Sequence, residues 1–360
     1  MNFSFFKKSN RCLGIDISAK SIKVVQLTQE SKRLKLETYG YSKIKDSIQE
    51  TEDGNRRINY SDKTIAILLK KVLKECKATT KRAIISTPAS STFSVLIKMP
   101  EMSDEEAERA VPIEAKKYIP IPIEEVILSW EILEKDSERF SLKENSDSHL
   151  LEVILVAVPK ELVQKYAKIA EITKIELVAL ESESFSLSRA LVDKEKEPMA
   201  IVDIGASFSN IIIVEKGFVV MNRTIEMSGN KLSKVIADGL NLNFQRAEVL
   251  KQDIGIKTDE AEKQISELML PLINSIIEEI QRVFELYYQR SNKKPKMIIM
   301  NGGSINLPGL MEYFIENFDI PVSLANPWLN VIYPEILTPA LKELSPFFSS
   351  SVGSAMRGTI

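Results

Sequence analysis

Two stretches of this chain, Leu13-Gly14-Ile15-Asp16-Ile17-Ser18-Ala19-Lys20-Ser21-Ile22-Lys23 and Ala200-Ile201-Val202-Asp203-Ile204-Gly205-Ala206-Ser207-Phe208-Ser209-Asn210, can be laid on one another. In each, an apolar strand carries an Asp two residues before a turn of small residues, and a second apolar strand follows. Such a repeat changes the reading of the whole fold, because it implies two halves built alike. Turns rich in Gly, Ala and Ser let backbone N–H groups come close to an anion. The pair therefore suits phosphate held from two sides. Asp16 and Asp203 suit a magnesium ion held through its water shell, since Mg²⁺ prefers few direct protein ligands. Lys23 suits a point charge on the phosphates. One copy alone would read better as an ordinary hairpin with Asp and Ser as turn formers.

A third element favours the phosphate reading. Met297-Ile298-Ile299-Met300-Asn301-Gly302-Gly303-Ser304 is an apolar strand ending in a double glycine, with a helix expected onward through Phe314. Glycines there permit close approach of a base or sugar. Neither GxxxxGK[ST] nor GxGxxG occurs, so neither a P-loop nor a dinucleotide fingerprint competes for the nucleotide.

Composition removes other classes. At 360 residues the chain is long enough for two or three domains. The 48 Lys and Arg against 50 Asp and Glu give a net charge of −2, with no broad electrostatic call on nucleic acid or a membrane surface. The two cysteines, Cys12 and Cys76, make no disulfide framework, and Cys76 falls on a helical apolar stripe as a core thiol. His149, the sole histidine, sits in a polar stretch and reads as solvent-facing, so neither a histidine triad nor a histidine zinc site is expected. No apolar run approaches the ~20 residues of a spanning helix, and Met1 to Asn10 has no signal-peptide core. A cytoplasmic protein with reduced thiols is expected.

Patterning places strands at Cys12 to Ile17, Ile22 to Leu27 and Leu34 to Tyr39, and a helix over Ser61 to Lys77. Ser103 and Glu106 predict a capping box, with a kink or break at Pro112. Strands are expected at Ala83 to Thr87, Thr92 to Lys98, Val126 to Leu133 and Leu151 to Val158, with a helix from Lys160 to Ile172. In the second half, Phe218 to Met221 and Thr224 to Met227 read as two strands. A long helical stripe over Asp259 to Arg290 is expected to break at Pro271.

These ordered motifs resemble the actin-like ATPase superfamily, and within it the PilM family of type IV pilus assembly, relatives of the division protein FtsA. The resemblance also rests on Glu114-Ala115-Lys116-Lys117-Tyr118-Ile119-Pro120 leading to Pro122-Ile123-Glu124-Glu125-Val126, on Ser228-Gly229-Asn230, and on Ser351-Val352-Gly353-Ser354-Ala355-Met356-Arg357-Gly358. It implies an α/β, actin-like (ribonuclease H-like) duplicated fold. The first half would comprise 11–85 and 176–198, with 340–360 packing back. An FtsA-like inserted subdomain would cover 86–175. The second half would be 199–339, with a helical part at about 228–292.

It further implies ATP and Mg²⁺ as ligands. Asp16, Ser18, Ala19 and Lys23 match the first phosphate loop, and Asp203, Gly205, Ala206, Ser207 and Ser209 the second. Gly302, Gly303 and Ser304 match the adenosine loop, and Glu248 and Lys251 the helix that contacts ribose and base. Glu183 resembles the acid that positions water in hydrolysing relatives, although a carboxylate at a helix start is an equal reading. Ser18 stands where the family has glycine, so a positive φ there would strain it. The implied partner is the N-terminal peptide of a PilN-like inner-membrane protein, with Ile121 in the extended run Tyr118 to Ile123 near its groove. Pilus motor ATPases and a second copy of the chain are further implied contacts, and the location implied is peripheral at the inner face of the cytoplasmic membrane. A small-molecule kinase would instead need a base near the γ-phosphate, which the inserted segment does not offer. An FtsA-like division protein would carry an amphipathic tether beyond Arg357-Gly358-Thr359-Ile360, and no such pattern is present.

Overall fold

A computed structural model describes residues 10–44, 61–133, 150–193, 197–256 and 263–359. His149 and most of the polar segment before it lie outside the described residues, as do Asp53 to Asn55 and the leader before Asn10.

The repeat read from the sequence is a repeat of strand order. The first half begins with β1 (Arg11–Ile17), β2 (Ser21–Glu30) and β3 (Arg33–Lys43), then α1 (Asp62–Glu75) and β4 (Arg82–Thr87). An excursion follows: β5 (Phe93–Pro100), α2 (Asp104–Ala115), β6 (Val126–Leu133) and β7 (Leu150–Pro159). The chain then returns through α3 (Lys160–Thr173), β8 (Glu176–Ser182) and α4 (Glu183–Leu191). The second half runs β9 (Met199–Ile204), β10 (Ser209–Glu215), β11 (Phe218–Ile225), α5 (Gly229–Leu240), α6 (Phe244–Ile254) and α7 (Lys263–Ser291). It closes with β12 (Ile298–Asn301), α8 (Leu310–Asn317), β13 (Val322–Leu324), β14 (Val331–Ile332) and α9 (Thr338–Thr359).

One sheet is ordered β14-β3-β2-β1-β4-β8 and the other β11-β10-β9-β12-β13. In both, the opening strand pairs antiparallel with its successor and parallel with a later strand on its other side. The central strands β1, β9 and β10 are apolar and buried almost throughout, as strands covered on both faces must be.

The excursion forms its own sheet, ordered β5-β7-β6, with α2 laid on it. Ile97, Val111, Ala115, Val153 and Leu155 make its core. α3 follows directly in the chain but packs elsewhere: Tyr166 and Ile169 are buried against Leu13, Ile15 and Leu69 under the six-stranded sheet. We therefore propose, on cores, that the inserted unit ends with β7.

Three local expectations need correction. Phe218 to Ile225 is one strand, because its pairing with β10 continues past Asn222 and Arg223 with only a register shift at Ile213/Val214. Pro271 does not break α7; it lies on the exposed side, where water can take up the carbonyl that loses its N–H partner. α2 likewise passes through Pro112 and ends three residues later, with the Ser103/Glu106 capping box formed as read. Cys76 is partly buried among the apolar side chains beneath the first sheet, and burial raises its thiol pKa.

α9 lies across β1 and β2 and fixes the first half. The approach is so close that a Cβ on Gly14 would stand 1.8 Å from the Ser351 carbonyl oxygen. Only a residue without a side chain fits there. On the far side, Glu181 at the end of β8 accepts from Arg189 at 2.7 and 2.8 Å and from Arg357 at 2.9 Å, tying α4 and α9 to one buried carboxylate. Gly14→Ala should lower the denaturant-measured stability by about 3 kcal/mol, the scale of forced overpacking, because the obstructing atom is backbone and cannot swing aside. An unchanged midpoint would show that α9 does not dock as described.

Candidate functional site

Both sheets end their opening strands in the same polar arrangement. In the first half Asp16 faces Lys23 across the β1–β2 pair and Ser86 across the β1–β4 pair. Lys23 Nζ donates to Asp16 Oδ2 at 2.5 Å, and Ser86 Oγ donates to Asp16 Oδ1 at 3.4 Å. In the second half Asp203 faces Asn210 and Asn301 at the same register positions. Asn301 Nδ2 donates to Asp203 Oδ1 at 2.7 Å, and Asn210 also hydrogen-bonds that carboxylate. Antiparallel pairing places side chains of facing residues on one side of the sheet, so the register itself delivers these contacts. The sequence reading named neither Asn210 nor Ser86 nor Asn301 as a partner of the aspartates; Asn210 stands where the aligned repeat puts Lys23, and Ser86 and Asn301 needed the parallel pairings, which carry no local signal.

The two aspartates feel one another's charge. Burial raises the pKa of Asp203; hydrogen bonds from Asn301 and Asn210 and the Lys23 charge oppose this, while the Asp16 charge adds to it. Glu183, the first residue of α4, is pushed well above the ordinary carboxylate range by burial, then by the charges of Asp203 and Asp16. Lys23 and an N–H donated by Ala89 pull the other way. Asp16, Lys23, Asp203 and Glu183 thus share one electrostatic neighbourhood, with Asp16, Lys23 and Asp203 all buried.

The two turns are built differently. In the first, Ser18 N–H donates to the Ser21 carbonyl at 2.9 Å, and Ser18 Oγ donates to the same oxygen at 3.1 Å. Ser18 is absent from the residues with positive φ, so the expected strain does not exist: serine closes the turn in an ordinary conformation. Ala19 and Lys20 follow, half-buried. In the second turn Gly205 N–H donates to Phe208 O at 3.0 Å, while the Gly205 and Ala206 carbonyls accept from Gly229 and Asn230 at the start of α5. Ser207 lies half-buried at this turn, and Ser209 Oγ is spent on the Met227 carbonyl at 2.6 Å.

The double glycine closes over this turn. Gly302 takes a φ of +94°, and a Cβ on it would meet Ile204 O at 2.5 Å and Asp203 Oδ1 at 2.8 Å. Ser304 Oγ reaches Gly205 O at 3.5 Å. Gly303 differs: it is exposed, and a Cβ there would meet nothing within 4 Å. A short 3-10 turn, Gly303–Asn306, intervenes before α8 begins at Leu310, where the sequence suggested direct entry into helix.

α6 completes the ring. Lys251 Nζ, buried, donates to Gly229 O and Ser233 Oγ at 2.8 Å each and to Glu248 Oε2 at 2.9 Å. Lys20, which the motifs did not single out, lies 3.3 Å from Glu248 Oε1 and 5.7 Å from the Phe244 ring. That ion pair joins the first turn to the second half. Burial works to raise the Glu248 pKa, but the Lys251 and Lys20 charges with hydrogen bonds from Ser233 and Lys251 outweigh it and hold the group at about 2. Burial in turn pulls Lys251 below its ordinary value, so this pair is not pure gain. Ile121 stands apart, partly buried against the core of the three-stranded unit.

Among the described residues no set of three or more Asp, Glu, His or Cys side chains is arranged as a direct metal cage, and no helix is long and apolar enough to cross a membrane.

Comparison with known proteins gives this geometry its context. The family described as Type IV pilus assembly protein PilM matches residues 14–359. A PilM-PilN type IV pilus biogenesis complex contains a chain of like fold, with TM-score 0.82 and 22% identity over 98% of this chain and 100% of that one. MreB 5 of Spiroplasma citri, bound to AMPPNP, aligns at TM-score 0.51 and 13% identity over 98% of this chain and 96% of its own. Cell division protein FtsA of Staphylococcus epidermidis is 26% identical over 221 residues, 54% of this chain and 47% of that protein. FtsA of Bacillus subtilis is 25% identical over 188 residues, 47% of this chain and 42% of that protein. The chain thus spans less than half the length of these curated relatives. The fold is actin-like, as the motif order implied.

Two substitutions should act with opposite sign. Glu248→Gln should lower the melting temperature at neutral pH, and the difference should fade as pH falls from 4.5 to about 2, where the parent carboxylate also protonates. Glu183→Gln should raise it at neutral pH, because a carboxyl whose pKa is raised by the fold costs stability once ionised, and that gain should vanish below 4.5. Calorimetric melts across that range check both; equal and pH-independent shifts would refute the charge assignments.

Proposed function

We propose a function from one premise: the chain belongs to the PilM family of type IV pilus assembly proteins. It binds ATP between its two halves, and in that form it docks the N-terminal peptide of a PilN-like inner-membrane protein at the cytoplasmic face of the membrane. The observation that supports the nucleotide part is the duplicated Asp, with Lys23 and Ser86 on one copy and Asn210 and Asn301 on the other. Strand register alone would not bring two buried acids together; a ligand that carries both phosphate and cation explains why the fold retains them.

In this reading Lys23 meets phosphate, and the turns at Ser18 and Ala19 and at Gly205 to Ser207 bring backbone close to it. Gly303 leaves open space for the adenosine, and Glu248 faces the ribose side. Asp16 and Asp203 would hold magnesium through its waters, which suits two acids crowded together without a direct cage. The ion would offset phosphate charge. Glu183 would orient water in this reading, and a poised phosphate with a merely positioned water turns over slowly without further help. Hydrolysis by the isolated protein is therefore slow.

The peptide part rests on family membership and on the three-stranded unit, where Tyr118, Ile113 and Ile127 are exposed. Extended peptides gain from strand edges and from apolar pockets, and β6 is an edge strand of that sheet.

Millimolar Mg-ATP should stabilise the folded chain by RT ln(1 + [L]/Kd), about 2.7 kcal/mol at a hundredfold excess over Kd. Asp203→Ala should remove most of that shift. Gly303→Ala is the sharper test: with space around it and no positive φ, it should melt like the parent without nucleotide and lose the shift with it. An unshifted parent would sink the nucleotide reading. For the partner, Ile121→Asp should weaken binding of a PilN N-terminal peptide in titration calorimetry while the Mg-ATP shift survives; joint loss would mark Ile121 as core only.

A further inference from the structure

The tip of the second turn points away from the acids. Phe208 is 40% exposed and faces a cavity of about 370 Å³. Across that space lie Ala89, Thr92 and Phe93 at the root of the three-stranded unit, with Asn222 and Ile225 of β11 forming another wall. β5 and β11 are edge strands of their sheets, and here they come side by side.

That root is also tied to the acids. Thr92 Oγ1 shares a hydrogen bond with Ser182 Oγ at 2.9 Å, and the Ala89 backbone lies among the groups that lower the Glu183 pKa. β5 starts one residue later at Phe93. The root of the inserted unit thus touches Ser182, just before α4, on one side and lines the same depression as the second turn on the other. The Gly205–Phe208 hydrogen bond makes 205–208 a closed turn, so a shift at Gly205 carries Phe208 with it.

Close-packed junctions hold one arrangement, while an open depression beside a part-exposed aromatic ring leaves room for a second. We propose that Phe208 is a relay between the nucleotide cleft and the three-stranded unit. When the second turn closes on phosphate, the ring moves into the cavity against Phe93 and seats β5 against β11. Nucleotide occupancy then sets how firmly the inserted unit is held, and anything docked on that unit reports back to the cleft with the same coupling. The inference rests on the nucleotide reading above.

Hydrogen exchange on the full chain, with and without Mg-ATP, tests it alongside the melt. In the parent, Mg-ATP should slow exchange over Phe93–Pro100 several-fold. In Phe93→Ala the Mg-ATP melt shift should remain and that slowing should be lost. Phe208→Cys supplies a second readout that does not depend on Phe93: maleimide labelling at position 208, followed by mass spectrometry, should be slowed several-fold by Mg-ATP. A parent that shows the melt shift with β5 exchange unchanged, or a Phe208→Cys variant that keeps the melt shift with its labelling unchanged by Mg-ATP, overturns the relay and leaves nucleotide binding standing. Slowing that persists in Phe93→Ala also overturns it. A parent with no melt shift at all overturns the nucleotide reading and the relay together.

Discussion

Three carboxyl groups, Asp16, Asp203 and Glu183, share one buried ammonium, that of Lys23. Gathering like charges away from water is costly, and the cost shows where it should, in the raised pKa values of Asp203 and Glu183. Structural ion pairs elsewhere in the chain are balanced differently. Glu181 has two guanidinium partners, and Glu215 accepts from Tyr287 and Lys293. This imbalance falls where the two repeats converge, the kind of place where shifted carboxyls mark a candidate site.

Everything around the acids serves to keep them near one another. α9 presses on β1 and β2 through the gap left by Gly14, and its Pro346 carbonyl accepts from Gly302 N–H of the second half at 3.3 Å. Its Phe347 ring lies 4.4 Å from Lys23 Nζ, so the same helix that fixes the first sheet also covers the ammonium. On the opposite side of the cleft the Lys20–Glu248 ion pair draws the first turn to α6. One contact is backbone and aromatic, the other a partly exposed ion pair that salt weakens. The two halves are therefore joined by one contact that salt leaves alone and one that salt weakens.

Much of this was legible because the decisive residues are local in sequence. An Asp followed by small residues between two apolar strands is a pattern within eleven positions, and its recurrence identified both acids, Lys23 and the two turns. Strand alternation and helical stripes placed most elements, since burial on a sheet or helix face leaves a short period in the chain. What escaped is long-range. Ser86 and Asn301 touch the aspartates only because β4 and β12 run parallel beside β1 and β9, and Lys20 meets Glu248 across two halves of the chain. Ser18 misled for another reason: glycine at a turn suggests positive φ, whereas this turn closes in a conformation serine adopts freely. Pro271 misled because a proline on the wet side of a long helix loses a hydrogen bond that water replaces.

The duplication is imperfect at one register position, and that imperfection gives the site a direction. Opposite Asp16 stands an ammonium; opposite Asp203 stands the neutral amide of Asn210. The first strand pair is thus close to neutral and holds the cation, while the second has amide donors and no cation of its own, so that only Lys23 of the first pair offsets the Asp203 charge. On the proposed nucleotide reading, a ligand with separated charges would have one favourable way round, with its anionic groups toward Lys23 and its cation on the side of Asp203. Two identical halves would have left that orientation undecided. A single Lys-for-Asn difference, at positions that the strand register makes equivalent, is enough to break the symmetry of a duplicated fold.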